Sequence, residues 1–320
     1  MPSIRCIEAF VKAVEGGSIA SGARQLGVTA AAASQSIARL ESDVGTRLLR
    51  RSTRSLALTD EGENYYARVR PLLRGLDEAH AEIGILRGEP QGRLKLACAV
   101  TFGRHVLAPW IREFMERYPK LKIELLLVDR PVDFQLENID ASIRYTQMLE
   151  PGLVARHIAT APIVYCASPA YLAKHGTPTS PEDLVLHKCL AYRMAIDGRV
   201  MSWPFLRNDE RVEAVIQPSL VSSDVDALAR ICCEGGGIGR LGSFVAQPLI
   251  ESGQLLQLFV EPSDASGVRA VSEPLEFFIC YRDRQHLPSN VRLFIDEFSA
   301  AMSQYPGLTQ VRRSASSAKG

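Results

Sequence analysis

In the stretch GVTAAAASQSIARLE, Gly27 to Glu41, the side chains Thr29, Ser34, Gln35 and Arg39 are of the kinds that hydrogen-bond to base edges. A glutamine pairs with adenine N6 and N7, and an arginine takes guanine O6 and N7 or a phosphate. Each good bidentate contact discriminates by about 1 to 3 kcal/mol. Ala30 and Ala31 make no hydrogen bonds, but they pack on thymine methyls and let a helix N-terminus approach a phosphate closely. Downstream, RLLRRSTRSLALT supplies Arg50, Arg51 and Arg54, suited to phosphates or the minor groove. A second set lies in AVTFGR, where Thr101 and the amides of Phe102 and Gly103 would stand at a helix start, an arrangement that suits a carboxylate. Ser222 and Ser223 precede DVDALARICCE as its expected caps.

These side chains need elements to position them. Ile7, Phe10, Val11 and Val14 recur at helical spacing until Gly16-Gly17 stops the helix. Ser18 caps a second helix over about 19 to 25, where Ala20, Gly22 and Ala23 permit a close neighbour. Gly27 makes the turn, Val28 is expected to plug the core, and Thr29 caps a third helix ending near Ser42. Ala33, Ile37 and Leu40 then face inward; Ala31, Ser34, Gln35 and Ala38 face outward, with Arg39 on the flank. Leu48 and Leu49, a basic turn, and Leu56 with Leu58 read as a two-stranded wing. From Thr59 to Leu86, apolar residues from Tyr65 to Leu86 recur every three or four positions, a helix of about 40 Å. Its stripe calls for a second copy of the chain as cover. Pro71 costs such a helix about 3 kcal/mol, so two helices meeting there is the alternative. GEPQG at 88 to 92 reads as a hinge, and beyond it strand-like runs alternate with helical ones, the mark of an α/β domain.

The chain has 320 residues, 46% hydrophobic and 23% charged, enough for more than one globular domain. No apolar run spans a bilayer, and the N-terminus lacks the pattern of a secretory signal, so a cytoplasmic location is expected. The net charge of +1 hides an asymmetry: residues 1 to 58 carry eight Lys/Arg and four acids, leaving +4 on the segment suited to a polyanion. Seven cysteines lie without metal-binding spacing and read as packed thiols; the vicinal Cys232-Cys233 pair leaves oxidation sensing as an alternative. No GxSxG, HExxH or phosphate-binding lysine loop is present, which argues against an enzyme and against any cofactor.

FVKAVEGGSIASGARQLGVTAAAASQSIARLESDVGTRLLRRSTRSLALTDEGENYY resembles the winged helix-turn-helix of LysR-type transcriptional regulators. The likeness continues through GRLKLACAVTFGRHVLAPWI, FMERYPKLKIELLLVDR, NIDASIRY, CASPAYLAKHGTPTSPEDL and CEGGGIGRLGSFVAQPLIESGQL. It implies a winged helix-turn-helix over 1–58, a dimerising linker helix over 59–88 and a two-lobed α/β effector domain like periplasmic binding proteins over 89–305. A disordered tail over 306–320 is expected from its Ser, Ala and Gly content. The implied partners are double-stranded promoter DNA, a small effector, a second copy of the chain in a dimer or tetramer, and RNA polymerase. The resemblance makes AVTFGR the principal effector turn and adds Arg130 and Arg240 as cleft-facing positions, which implies an anion, expected to be a carboxylate, between the lobes. Two departures stand out: Ala30 and Gln35 in the reading helix, and Arg240 with Gly242 where the family has an apolar residue and a proline. A regulator of this fold without an effector, and a solute-binding protein with a helical N-terminus, are the other readings.

Overall fold

The computed structural model describes residues 2–51, 56–207, 210–260, 268–269, 274–282 and 287–308. Two compact units divide after Gly88.

The first unit contains α1 (Ile4–Glu15), α2 (Ile19–Leu26), α3 (Ala30–Val44), β1 (Leu49–Arg51), β2 (Leu56–Leu58) and α4 (Asp60–Leu86). Local chemistry sets the boundaries. The Ser18 hydroxyl accepts from the Ser21 amide, Gly27 takes φ +67° to end α2, and the Thr29 hydroxyl accepts from the Ala32 amide to start α3. Phe10, Ile37, Leu40 and Leu48 form the core, onto which Tyr65, Tyr66, Val69 and Leu73 of α4 pack. Val28 does not plug this core; it is 45% exposed, and Leu26 packs there instead. β1 and β2 pair antiparallel, Leu49 opposite Leu58. α4 runs unbroken through Pro71, so the alternative of two helices meeting there is set aside. Docking of Val69 and Leu73, which flank the proline, supplies contacts that hold the helix on course. Beyond this footprint Leu72, Ile83 and Leu86 stand exposed.

In the second unit, β3 (Gly92–Cys98) leads into α5 (Val100–Phe102), a π-helical turn at Gly103–Leu107 and α6 (Ala108–Arg117). Then come β4 (Leu121–Leu127), β5 (Ala141–Tyr145) and β6 (Val154–Ala161). The chain crosses to a second lobe at Pro162, building β7 (Ile163–Ala167), α7 (Pro169–His175), β8 (Cys189–Tyr192), β9 (Pro204–Arg207), β10 (Glu210–Glu213) and β11 (Pro218–Ser222). It continues through α8 (Val225–Cys233), β12 (Ile238–Gly242), α9 (Ser243–Glu251), β13 (Leu256–Leu258) and β14 (Val268–Arg269). It returns through β15 (Leu275–Tyr281) and ends on α10 (Ser289–Met302). The first lobe is a five-stranded sheet, β4-β3-β5-β15-β6; the second is β11-β8-β12-β7-β13, with a small sheet β10-β9-β14 beside it. In each main sheet the third to fifth positions mix direction, but β3 lies parallel between β4 and β5, and β8 lies parallel between β11 and β12. Trp110, Phe114, Phe294 and Phe298 interlock α6 with α10 over the first sheet. Tyr165, Trp203 and Phe205 fill the second lobe. At the start of the segment expected to be a disordered tail, Leu308 is buried and the Gly307 carbonyl accepts from the Ser243 hydroxyl; 309–320 lie outside the described residues.

At Gly22 an added Cβ would lie 2.5 Å from the Ala13 backbone nitrogen. Backbone cannot move aside as a flexible side chain can, so Gly22→Ala is expected to destabilise the first unit by about 1 to 3 kcal/mol. Urea unfolding followed by helical circular dichroism reads this; an unchanged midpoint would refute the close α1–α2 approach.

Candidate DNA interface and effector cavity

The third helix presents a small, polar side. Thr29, Ala30, Ala31, Gln35 and Arg39 are exposed, Ser34 is half-buried, and Ala33, Ile37 and Leu40 are buried. No acid occupies the first turn of α3, in contrast to Asp60, Glu61 and Glu63 at the start of α4. The partial positive charge of the α3 N-terminus is therefore left for an outside anion. Glu41, which the sequence reading passed over, accepts from the amides of Leu48 and Leu49 at 2.9 and 3.1 Å. It thereby ties the end of the reading helix to the start of the wing. Thr59 does the same on the far side, donating to the Arg47 carbonyl and accepting from the Gly62 amide. Arg50 is exposed and ion-paired with Asp60 at 3.0 Å. Arg51 contributes its backbone to β1; its side chain, and all of Arg54, lie outside the described residues.

Between the lobes of the second unit lies a cavity of about 70 Å³. Both lobes turn the carboxyl ends of parallel strands toward it, the usual place for a ligand in an open α/β sheet. Thr101 and Phe102 follow β3, Asp129 follows β4, Tyr145 ends β5, Tyr192 ends β8, and Arg240 lies in β12. Phe244, Phe277, Ile163, Met201 and Leu275 give the walls an apolar character. Asp129 Oδ1 accepts from the Val100 amide at 2.9 Å, capping the helix that begins there. Burial raises the Asp129 carboxyl, opposed by that amide and by the Arg144 guanidinium. Burial also pushes the Tyr145 and Tyr192 phenols up, and in Tyr192 the nearby Tyr145 adds to the effect. The Tyr145 hydroxyl is shielded from water and lies against the Tyr192 hydroxyl. Arg240 Nη1 contacts the Met201 sulfur at 3.5 Å, and its Nε is enclosed without an acceptor.

Of the residues singled out in sequence, Thr101, Phe102 and Arg240 meet at this cavity. Four others do not. The Gly103 amide is taken by the Ala99 carbonyl, and an added Cβ would lie 2.3 Å from the Leu127 side chain, so this glycine serves packing. Arg130 turns away, in the bend that follows β4, and binds both carboxylate oxygens of Glu137 at 2.8 Å. Its neighbour Asp129 is the one that faces in. Ser222 and Ser223 do not cap α8; Asp224 does, accepting from the Ala227 amide at 2.8 Å, and Ser222 instead accepts from the Asp224 amide. Six of the seven cysteines are buried and Cys233 is half-buried. Among the described residues no three His, Cys, Asp or Glu side chains are grouped to hold a metal, and no helix is long and apolar enough to cross a membrane.

A helix-turn-helix with a wing, joined to a two-lobed α/β domain with an interlobe cavity, defines a ligand-domain transcriptional regulator rather than an enzyme. Residues 4–63 match the bacterial regulatory helix-turn-helix protein of the lysR family, and residues 87–303 match the LysR substrate binding domain. The chain belongs to the LysR family of DNA-binding transcriptional regulators. It is 32% identical over 291 residues to the probable regulator LtrA of Klebsiella pneumoniae, covering 91% of this chain and 92% of that one. CrgA of Neisseria meningitidis, a LysR-type regulator of solved structure, is 30% identical with a TM-score of 0.59, over 94% of this chain and 99% of its own. The full-length virulence activator AphB of Vibrio cholerae is 27% identical with a TM-score of 0.58, over 94% and 99% respectively.

A charged cluster also joins the two lobes. Arg104 and His105, in the π-helical turn, reach Asp226 of α8 at 2.6 and 2.5 Å, and Arg104 lies 3.7 Å from Asp224. Burial would raise the Asp226 carboxyl, but hydrogen bonds from His105 and Arg104 outweigh it and hold the group below its ordinary range. The cluster's contribution is therefore complete above the ordinary aspartate value of about 4 and fades as pH falls through the lower folded value. Asp226→Asn is expected to destabilise the second unit by about 1 kcal/mol at pH 7, given partial screening. The difference from wild type should shrink below pH about 4. Thermal melts across pH check this; a constant difference would remove the ion pair as its source.

Proposed function

We propose that this regulator responds to a small organic acid bound between the lobes and that the acid changes how a pair of recognition helices engages promoter DNA. The observation that carries the acid is Arg240: a half-buried guanidinium at a largely apolar cavity, beside the Met201 sulfur and the Tyr165 hydroxyl, with its Nε enclosed and without an acceptor. Enclosing an N–H of an ionised group without an acceptor is costly, and a carboxylate is the geometric match to a guanidinium. Thr101 adds a hydroxyl on the facing lobe. An acid bridging both lobes binds the closed arrangement better than an open one, and only such unequal binding can shift the equilibrium.

On the DNA side, Gln35 and Ser34 read bases, Arg39 takes a base or phosphate, and Thr29, Ala30 and Ala31 bring the α3 N-terminus to the backbone. Arg50, Arg51 and Arg54 of the wing hold phosphates. The exposed apolar residues Leu72, Leu76, Ile83 and Leu86 of α4 pair with a second copy, which places two reading helices on half-sites a helical turn or its multiples apart. A dimer or tetramer so arranged, working in the cytoplasm beside RNA polymerase, is the assembly this reading requires.

Gln35→Ala should relax preference at one base step by about fivefold to a hundredfold while sparing the rest of the operator. Arg50→Ala should weaken binding to all sequences alike and reduce the salt slope by about 1. Anisotropy titrations on operator variants at several salt concentrations separate the two; an unchanged preference profile for Gln35→Ala would end its role as a reader. Thr101→Val should remove the response to the acid with DNA affinity intact, and a fully responsive variant would exclude that hydroxyl.

A further inference from the structure

Three polar groups at the cavity have hydrogen-bonding capacity left over. Arg240 Nε has no acceptor. The Tyr145 hydroxyl, on a residue only 9% exposed, is shielded and has the Tyr192 hydroxyl as its neighbour, which leaves it one further bond to make. Asp129 accepts one backbone amide, from Val100. An ionised carboxylate has about four lone-pair sites, so most of its accepting capacity remains. The first is a donor, the last is an acceptor, and a hydroxyl is both.

The position of Asp129 matters as much as its capacity. It occupies the helix start at which an incoming carboxylate would otherwise sit, and it has already taken the Val100 amide. A second carboxylate beside it would face a like charge in an enclosed site, which is strongly unfavourable. The anionic end of a ligand is thereby directed away from the helix start and toward Arg240, across a middle walled by Phe102, Phe244 and Phe277. What belongs beside Asp129 is a donor.

Resting on the acid-effector reading above, we infer that the effector is an acid that also carries a hydrogen-bond donor, its carboxylate on Arg240 and its hydroxyl or amino group on Asp129. Tyr145 bridges the two ends, donating or accepting as the ligand requires. The specificity of the site then lies in Asp129: an acid without the donor leaves that carboxylate unpaired, and an acid with a carbonyl in the donor's place sets acceptor against acceptor.

The test uses the full chain and matched acids: propionate, lactate and pyruvate, then phenylacetate, mandelate, 4-hydroxyphenylacetate and phenylglyoxylate. Affinities come from calorimetry, with thermal shift as a second reading. For at least one series, the hydroxy acid should bind about tenfold or more tighter than both its parent and its oxo counterpart. In Asp129→Asn the side-chain oxygen still caps Val100 while the amide offers a donor, so the preference should collapse or turn toward the oxo acid. If no acid in the panel binds wild type, the acid-effector reading fails and takes this inference with it. If acids bind without preference for the donor, or if folded Asp129→Asn keeps the wild-type preference, this inference alone is overturned. The wild-type ratios decide the matter even should the variant not fold.

Discussion

The hydrogen bond from the Val100 amide to Asp129 is the contact on which the effector domain's arrangement turns. It fastens the segment after β4 to the start of the helix after β3, and both lie at the carboxyl ends of one parallel strand pair. Arg144 supports it from behind: 98% buried by its 2% exposure, it donates to the carbonyl of Val128, the residue before Asp129. With that edge fixed, Thr101 and Phe102 are held toward the second lobe and Arg130 is turned to the surface. The cavity is a consequence of strand direction, since β8 and β12 bring Tyr192 and Arg240 to the same place from the other side.

The same economy governs the DNA-binding unit. The four small residues that open α3 lower its capacity to hydrogen-bond, but they leave its first turn open to approach and free of acid, with the Ala32 amide capped by Thr29. In the DNA-binding mode proposed above, positioning falls to the backbone and the wing, and base choice to a few side chains one or two turns further along. Glu41 and Thr59 lock helix, wing and α4 into one body, which keeps those few side chains in register.

Much of this was legible in the sequence because it is local. Ser18 and Thr29 cap the helices they precede, Gly27 takes the left-handed turn, and Ala33, Ile37 and Leu40 share a face because helical period alone puts them there. Errors arose where one residue of phase decides the outcome. In VDR the inward side chain is Asp129 and not Arg130; at the start of α8 the cap is Asp224 and not its serine neighbours; beside Gly27 the core residue is Leu26 and not Val28. Pattern gives a strand or a helix to within a residue or so, and that residue inverts which side faces the cavity. Tyr145 and Tyr192 were hidden for another reason. They come from strands of separate lobes, 47 positions apart in the chain, and only the pairing of whole sheets makes them neighbours.

The central claim is that occupation of the cavity through Arg240 is felt by the DNA-binding half. The most direct measurement is the affinity and footprint of the full chain on its promoter fragment as mandelate or lactate is titrated, for wild type and for Arg240→Gln. Acid is expected to shift the wild-type binding midpoint or footprint, and Arg240→Gln to bind DNA equally well without acid but not to respond to it. An acid that binds the wild-type protein yet leaves DNA binding unchanged, or a variant that responds as wild type does, would contradict the central claim.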